Sequence, residues 1–147
     1  MKRSPEDVSA AMHARDDVAE LLGIEIGEVA VDRATVSMTV TEPMTNGLDV
    51  CHGGLLFTLA DTAMAHASNS NDARSFSTTA SIEWLNPAHI GDHLTATCAA
   101  VARRGRNTVY DIEVRRGGDD AVIALLRGQT LTVGGSVAES PWSGDRG

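Results

Sequence analysis

The chain has 147 residues, of which 42% are hydrophobic and 22% charged, which predicts a single globular domain and excludes a chain disordered throughout. Its 20 acidic residues outnumber 12 basic ones for a net charge of −8, which argues against a general nucleic-acid-binding surface. The sequence has two widely spaced cysteines, which predicts neither a disulfide framework nor a cysteine-bound metal. It has no apolar leader and no apolar run of membrane length, so we expect a cytoplasmic protein without membrane contact.

The chain begins with a segment typical of an amphipathic helix, residues 4–22. Ser4 is a suitable N-cap, Pro5 fits the first helical position, and Gly23 follows as a stop signal. The alternation of apolar and polar residues then predicts two strands. These strands span residues 24–31 and 33–41.

A second helix is predicted over residues 53–70, which are rich in Leu, Ala and Met and apolar almost all round. Such a helix is surrounded by other structure. Turn residues then separate four β-branched segments, which predict strands at residues 75–85, 93–103, 107–115 and 121–133. Residues 134–147 predict a frayed polar tail. The order predicts one α+β domain, residues 1–147, in which antiparallel strands surround a buried helix and leave open sheet edges.

Asp61 stands out because it is an acidic residue in the middle of this apolar helix. A carboxylate in such surroundings is costly unless it is paired or used. One interpretation is structural, with Asp61 reaching solvent or pairing with an arginine at a subunit interface. The other is catalytic. The pattern of residues leaves both open.

The helix begins at His52-Gly53-Gly54. Its first N–H groups lack helical partners and can bind a carbonyl oxygen or the oxyanion formed from it, although two glycines also suit a tight turn. Gly53 and Asp61 lie about 12 Å apart along a helix axis, so one reacting carbon cannot contact both within one chain. If both act on one substrate, the sequence predicts a dimer with two composite sites.

The run from Asn46 through His52-Gly53-Gly54 to Asp61 resembles the hotdog-fold acyl-CoA thioesterases. It is most similar to their phenylacetate-pathway (PaaI-type) branch, within the 4-hydroxybenzoyl-CoA thioesterase superfamily. The resemblance extends from about residue 20 to residue 133 and includes the spacing Asn-x5-His-Gly-Gly-x6-Asp. It implies a long central helix wrapped by a five- to six-stranded antiparallel sheet, with an N-terminal helix. It also implies homodimers that assemble into homotetramers.

The same resemblance implies roles for individual residues. Asp61 would attack the thioester or activate a water molecule, and the Gly53 N–H would polarise the thioester carbonyl. His52 would brace the loop, and Asn46 would position the water or the thioester. Thr79, on the strand after the helix, corresponds to a hydroxyl residue that holds the water in relatives.

Substrate contacts are expected at two places. The acyl group is expected beside helix residues near Asp61, namely Gly54, Phe57, Thr62 and Met64. The CoA phosphates are expected at the arginines of a predicted hairpin tip, Arg103, Arg104 and Arg106, with Arg127 more distant. A solubilising turn is the alternative for this tip. Many relatives also carry a basic residue before Pro87, where this chain has Asn86.

The predicted function is hydrolysis of an acyl- or aryl-CoA thioester, with a hydroxylated phenylacetyl-CoA or a medium-chain acyl-CoA as the substrate implied. CoA belongs to the substrate, and no other cofactor, metal or nucleic-acid partner is expected. Two other functions stay open. One is a non-catalytic acyl-CoA-binding module, against which the carboxylate of Asp61 argues. The other is a dehydratase, in which His52 and Asp61 would form an acid–base pair across the subunit interface.

Overall fold

The computed structural model describes residues 2–139. The helices are α1 (Pro5–His13), α2 (Asp17–Leu22) and α3 (Gly53–Ser68), with a short 3-10 turn at Glu42–Met44. The strands are β1 (Glu25–Ala30), β2 (Arg33–Thr39), β3 (Ser75–Trp84), β4 (His93–Arg104), β5 (Asn107–Arg116) and β6 (Val122–Thr132). They form one antiparallel sheet in the order β1-β2-β4-β5-β6-β3.

The helix α3 lies against this sheet and supplies one side of the core. Its buried residues include several alanines, which allow the helix to approach the strands closely. The core residues of α3 are Leu56, Leu59, Ala60, Ala63, Met64 and Ala67. Strands β2, β4 and β5 meet them with alternate side chains, such as Val36, Met38, Leu94, Ala96, Ile112 and Val114. The predicted α+β architecture of a long helix wrapped by an antiparallel sheet is confirmed.

The single N-terminal helix predicted over residues 4–22 is wrong, because the structure has two helices there. The cap at Ser4 forms as expected, with its hydroxyl accepting from the Asp7 N–H at 3.1 Å. Asp16 then begins α2 by accepting from the Ala19 N–H at 3.0 Å. A short Asp side chain competes with the helical backbone for such donors, so it ends one helix and begins another.

The first part of the predicted frayed tail is held in place, contrary to that expectation. Asp72, in the loop after α3, accepts hydrogen bonds from the backbone N–H groups of Val137 and Ala138, at 2.8 and 3.0 Å. It also accepts from the Ser136 hydroxyl and the Arg3 guanidinium. These contacts tie both ends of the described chain to one loop. Residues 140–147 lie outside the described residues.

Strand β3 forms one edge of the sheet, and within residues 2–139 its strand partner is β6. Its side chains are almost all exposed, including Phe76 at 51% and Trp84 at 54%. A strand at the edge of a sheet with exposed side chains can pair with a second chain. No helix within residues 2–139 has both the length and the hydropathy needed to cross a membrane.

A buried polar contact joins α1 to α3. The Ser9 hydroxyl and His66 Nδ1 lie 2.6 Å apart, and both residues are buried. Burial lowers the pKa of His66 to about 4, assisted by His13, whose ring centre is 6.5 Å away, and opposed by Asp16. The imidazole is therefore neutral in the folded protein at neutral pH.

This contact predicts an acid-dependent loss of stability. Because the pKa of His66 is about 6.5 when unfolded and about 4 when folded, the unfolded chain binds more protons between those values. We expect protonation of His66 in the unfolded chain to lower the free energy of unfolding by about 2 kcal/mol when the pH falls from 7 to 5. Urea unfolding at both pH values should show this difference in the wild type and in His89→Gln, but not in His66→Gln. Equal pH dependence in all three proteins would contradict the prediction.

Candidate active site

Within residues 2–139, the start of α3 has a backbone N–H without a hydrogen-bond partner. His52 is the N-cap, and its Nδ1 accepts from the Gly54 N–H at 3.2 Å, so in the neutral ring the proton lies on Nε2. The Gly53 N–H makes no hydrogen bond within residues 2–139. A free N–H at the positive end of a 16-residue helix can bind a carbonyl oxygen or an oxyanion.

Trp84, at the end of β3, contacts this same turn. Its indole Nε1 donates to the Gly53 carbonyl oxygen at 3.1 Å. A Cβ added at Gly53 would lie 3.1–3.4 Å from three atoms of the indole, so the ring lies directly against the glycine. Sequence reasoning missed Trp84, because its contact with Gly53 depends on where β3 ends relative to α3.

The Asn46 side chain shapes the loop before α3. Its Oδ1 accepts from the backbone N–H groups of Leu48 and Val50, at 2.9 and 3.4 Å. Its Nδ2 has no partner in the described part of the chain and is available to a ligand. A cavity of about 370 Å³ lies between this loop, the start of α3 and the end of β3. Its walls are mainly apolar and include Val50, Leu56, Trp84, Leu85 and Pro87.

Asp61 is half-buried on α3 and accepts one hydrogen bond, from the Ser77 hydroxyl to Oδ1 at 3.3 Å. Burial raises the pKa of Asp61, and the Ser77 hydrogen bond opposes this by stabilising the carboxylate. Among residues 2–139, no Lys, Arg or His forms an ion pair with it. A partly desolvated carboxylate without a cation is a strong base or nucleophile once ionised.

Gly53 and Asp61 do not meet within one chain. They lie two helical turns apart, about 12 Å along the axis of α3. The strand β3 shows the same separation, because its end contacts Gly53 through Trp84 while its beginning contacts Asp61 through Ser77. A site that uses both groups therefore needs two chains.

The hydroxyl that reaches Asp61 belongs to Ser77, whereas Thr79 makes no hydrogen bond to it in this chain. A register shift in the pairing of β3 with β6 falls between these two residues. Thr79 follows the shift, opposite Gln129, and lines a separate shallow cavity with Arg127 and Gln129. Sequence reasoning missed Ser77 because a bulge changes which side chains face the helix.

The four residues expected beside the acyl group differ in their accessibility. Phe57 is half-buried against the core, and Gly54 is exposed. Thr62 is 9% exposed, and its hydroxyl donates to the Thr58 carbonyl one turn earlier at 2.7 Å. Met64 is fully buried, and its thioether occupies the space that a side chain on Gly128 would need. Met64 is therefore packed in the core of this chain, and its expected contact with the acyl group stays a prediction.

The arginines of the hairpin tip also separate into two groups. Arg103 forms an ion pair with Asp32 at 2.7 Å and donates to the Thr108 hydroxyl at 2.9 Å. Its guanidinium is thus engaged within the chain. Arg104 and Arg106 form no ion pair among the described residues. Arg127, the more distant candidate, is bound by both carboxylate oxygens of Asp111.

The hairpin tip lies towards the Asp61 end of the sheet. Ser77 pairs with Thr130 on β6, Thr130 with Thr108 on β5, and Thr108 with Arg103 on β4. Three strand spacings separate Ser77 from Arg103, about 14 Å. Arg104 and Arg106 are thus exposed basic side chains on this side of the molecule. Within residues 2–139 no cluster of three His, Cys, Asp or Glu side chains is arranged to hold a metal.

Comparisons with known proteins agree on one family. The model of the thioesterase superfamily matches residues 48–123. The acyl-coenzyme A thioesterase PaaI of Escherichia coli is 44% identical over 128 residues, which cover 86% of this chain and 90% of that protein. A putative esterase of Archaeoglobus fulgidus is 34% identical over 87% of this chain and 82% of that protein.

Solved structures match in the same way. The E. coli PaaI structure, from the phenylacetic acid degradation operon, superimposes with a TM-score of 0.87 at 39% identity, covering 90% of this chain and 95% of that one. A Streptococcus mutans protein solved with acetyl-CoA bound has a TM-score of 0.73 at 21% identity, covering 77% of this chain and 90% of that chain. At that identity the likeness concerns the fold alone.

Proposed function

This chain belongs to the thioesterase superfamily and is an acyl-CoA thioesterase, and we propose that it works through a site shared by two copies of the chain. Asp61 of one copy supplies the carboxylate, and the Gly53 N–H of the other binds the thioester carbonyl oxygen. The observation behind this proposal is the arrangement on α3. Among residues 2–139, a half-buried carboxylate without an ion pair and an N–H without a hydrogen bond lie at separate points of one helix.

The proposed reaction is an acyl transfer to water. In one route Asp61 takes a proton from water, whose oxygen attacks the thioester carbon while the Gly53 N–H stabilises the oxyanion. The carbon–sulfur bond then breaks, the acid is released, and the CoA thiolate takes up a proton. In the other route an Asp61 oxygen attacks the thioester carbon, and the carbon–sulfur bond breaks to release the CoA thiolate, which takes up a proton. Water then hydrolyses the resulting anhydride to the free acid and the Asp61 carboxylate. A thiolate is a good leaving group, so neither route includes a metal or another cofactor.

We propose that the acyl group occupies the apolar cavity beside Gly53. An aromatic or short apolar acid suits its walls of Leu56, Trp84 and Pro87, and the Asn46 amide is a polar group at its edge. Release of free thiol from phenylacetyl-, hydroxyphenylacetyl-, benzoyl- and medium-chain acyl-CoA tests this. We expect fastest release from the arylacetyl thioesters. Equal rates across the panel would contradict a role of the cavity in acyl selection. If none of these thioesters released free thiol, the proposed hydrolysis would be contradicted.

We propose pairing of two chains along β3 and assembly of the dimers into a homotetramer. The position of β3 at the edge of the sheet and the half-exposed side chain of Trp84 support the first step. We also propose that the protein works in the cytoplasm, which agrees with its two free, buried cysteines, Cys51 and Cys98. Sedimentation equilibrium measures the oligomer directly. A monomer at micromolar concentration would contradict the shared site.

The Ser77 hydrogen bond predicts a shift in the pH profile. Ser77 lowers the pKa of Asp61 against the effect of burial, so its removal raises that pKa. Because the reaction needs the carboxylate form, we expect the acid limb of kcat/KM for Ser77→Ala to move to higher pH. Ser81→Ala, an exposed change on the same strand, should leave the acid limb in place. An unchanged or lower limb in Ser77→Ala would contradict the role of Ser77.

A further inference from the structure

We propose that Trp84 is a positioning residue that holds the Gly53–Gly54 peptide, and so directs the Gly53 N–H towards the thioester oxygen. The inference rests on the proposed function of that N–H. Trp84, the last residue of β3, would then belong to the site together with the first turn of α3. Trp84 acts through the backbone of Gly53 and takes no part in proton transfer.

The peptide unit between Gly53 and Gly54 is held at both of its polar ends. The Trp84 indole N–H donates to its carbonyl oxygen at 3.1 Å. His52 Nδ1 accepts from its N–H at 3.2 Å. The two side chains come from different parts of the chain, so they fix the plane of this peptide from two directions. The preceding N–H, on Gly53, is left free for a ligand.

The two adjacent glycines, Gly53 and Gly54, explain why the backbone here needs side-chain hydrogen bonds to fix its orientation. Glycine has the widest choice of backbone angles, and Gly53 and Gly54 stand in the first turn of α3, where the backbone has few helical hydrogen bonds. An N–H that swings through a range of directions stabilises an oxyanion less than one that is already oriented. The Trp84 hydrogen bond removes part of that freedom.

The indole also limits what residue 53 can be. A Cβ at this position would come within 3.1 Å of Nε1 and 3.2 Å of Cε2 of Trp84, closer than ordinary carbon contacts. The position of the ring is set by strand register, since Trp84 pairs with the buried Ala124 on β6. The last residue of β3 and the first of α3 therefore constrain each other.

The test separates hydrogen bonding from packing. Trp84→Phe keeps an aromatic ring at this half-exposed position and removes the donor. We expect kcat to fall about tenfold, with a smaller change in KM, because phenylalanine keeps an aromatic wall in the acyl cavity, and with an unchanged unfolding midpoint and oligomeric state. Leu125→Ala, at the same end of the sheet but on the neighbouring strand, should leave kcat unchanged.

A second background gives the decisive comparison. Gly53→Pro removes the N–H through which Trp84 would act. If Trp84 works by this route, Trp84→Phe lowers kcat in Gly53→Ala, which adds the same Cβ beside the indole but keeps the N–H, and has no further effect in Gly53→Pro. An equal loss in both backgrounds, or a change in KM alone, would overturn the positioning role. A Gly53→Pro variant with wild-type kcat would instead contradict the proposed oxyanion donor itself.

Discussion

Asp61→Asn abolishes turnover while the protein stays folded: we expect kcat for CoA thioesters to fall by about 10³-fold or more. Asn has nearly the same shape, and its amide oxygen can still accept the Ser77 hydrogen bond seen at 3.3 Å. It can neither take a proton from water nor attack a thioester at a useful rate. The packing of α3 is unchanged, so the chemical step alone is lost.

The measurement pairs thiol release with urea unfolding. Because burial disfavours the charged form of Asp61, the neutral Asn should leave the free energy of unfolding equal or higher. Asp17→Asn, an exposed change on α2, is the matched control and should alter neither quantity. Unfolding of Asp61→Asn would make this residue structural. Full activity in a folded Asp61→Asn protein would remove it from the site.

The second large effect is recovery of activity when two inactive variants are mixed. Gly53→Pro removes the N–H donor with little change to the backbone. Proline is favoured at the first position of a helix, and His52, with φ −58° and ψ 130°, already has the extended conformation that a following proline requires. Gly53→Ala is the control, because it adds the same Cβ beside Trp84 but keeps the N–H. We expect kcat of Gly53→Pro to be about 10²-fold below that of Gly53→Ala.

Gly53→Pro and Asp61→Asn each have little activity alone, but a mixed dimer contains one intact site. That site uses the Gly53 N–H of the Asp61→Asn chain and the carboxylate of the Gly53→Pro chain. Random pairing makes half of the dimers mixed, each with one working site of two, so coexpression should restore about a quarter of wild-type activity. A site within one chain predicts no recovery. Purification of the mixed dimer through two different tags should raise the recovered activity to about half.

The amino-acid sequence by itself determined most of the helices and strands and predicted the reacting groups. The apolar run of α3 and the alternation in β2 are local patterns, and each predicts its element from neighbouring residues alone. Asp61 was recognisable because an unpaired carboxylate is out of place on such a helix. The separation of Gly53 and Asp61 follows from the rise of a helix. That distance was enough to predict a site shared by two chains.

Local patterns were less accurate where side chains compete with the backbone. Asp16 divides the N-terminal helix by capping a new one, and Asp72 holds residues 136–138 that looked like a tail. In both cases a short carboxylate binds backbone N–H groups. The Asp16 cap is local, but the helical pattern of residues 4–22 predicted a continuous helix across it. The Asp72 contacts join parts of the chain more than 60 residues apart.

Only the tertiary structure decided which side chains meet. The bulge in β3 places Ser77 rather than Thr79 against Asp61, and the approach of α3 to β6 buries Met64 against Gly128. The turn before β2 supplies Asp32, which engages Arg103. Trp84 reaches Gly53 because β3 ends beside the start of α3. These contacts depend on strand register and on the distance between helix and sheet, which residue spacing along the chain does not specify.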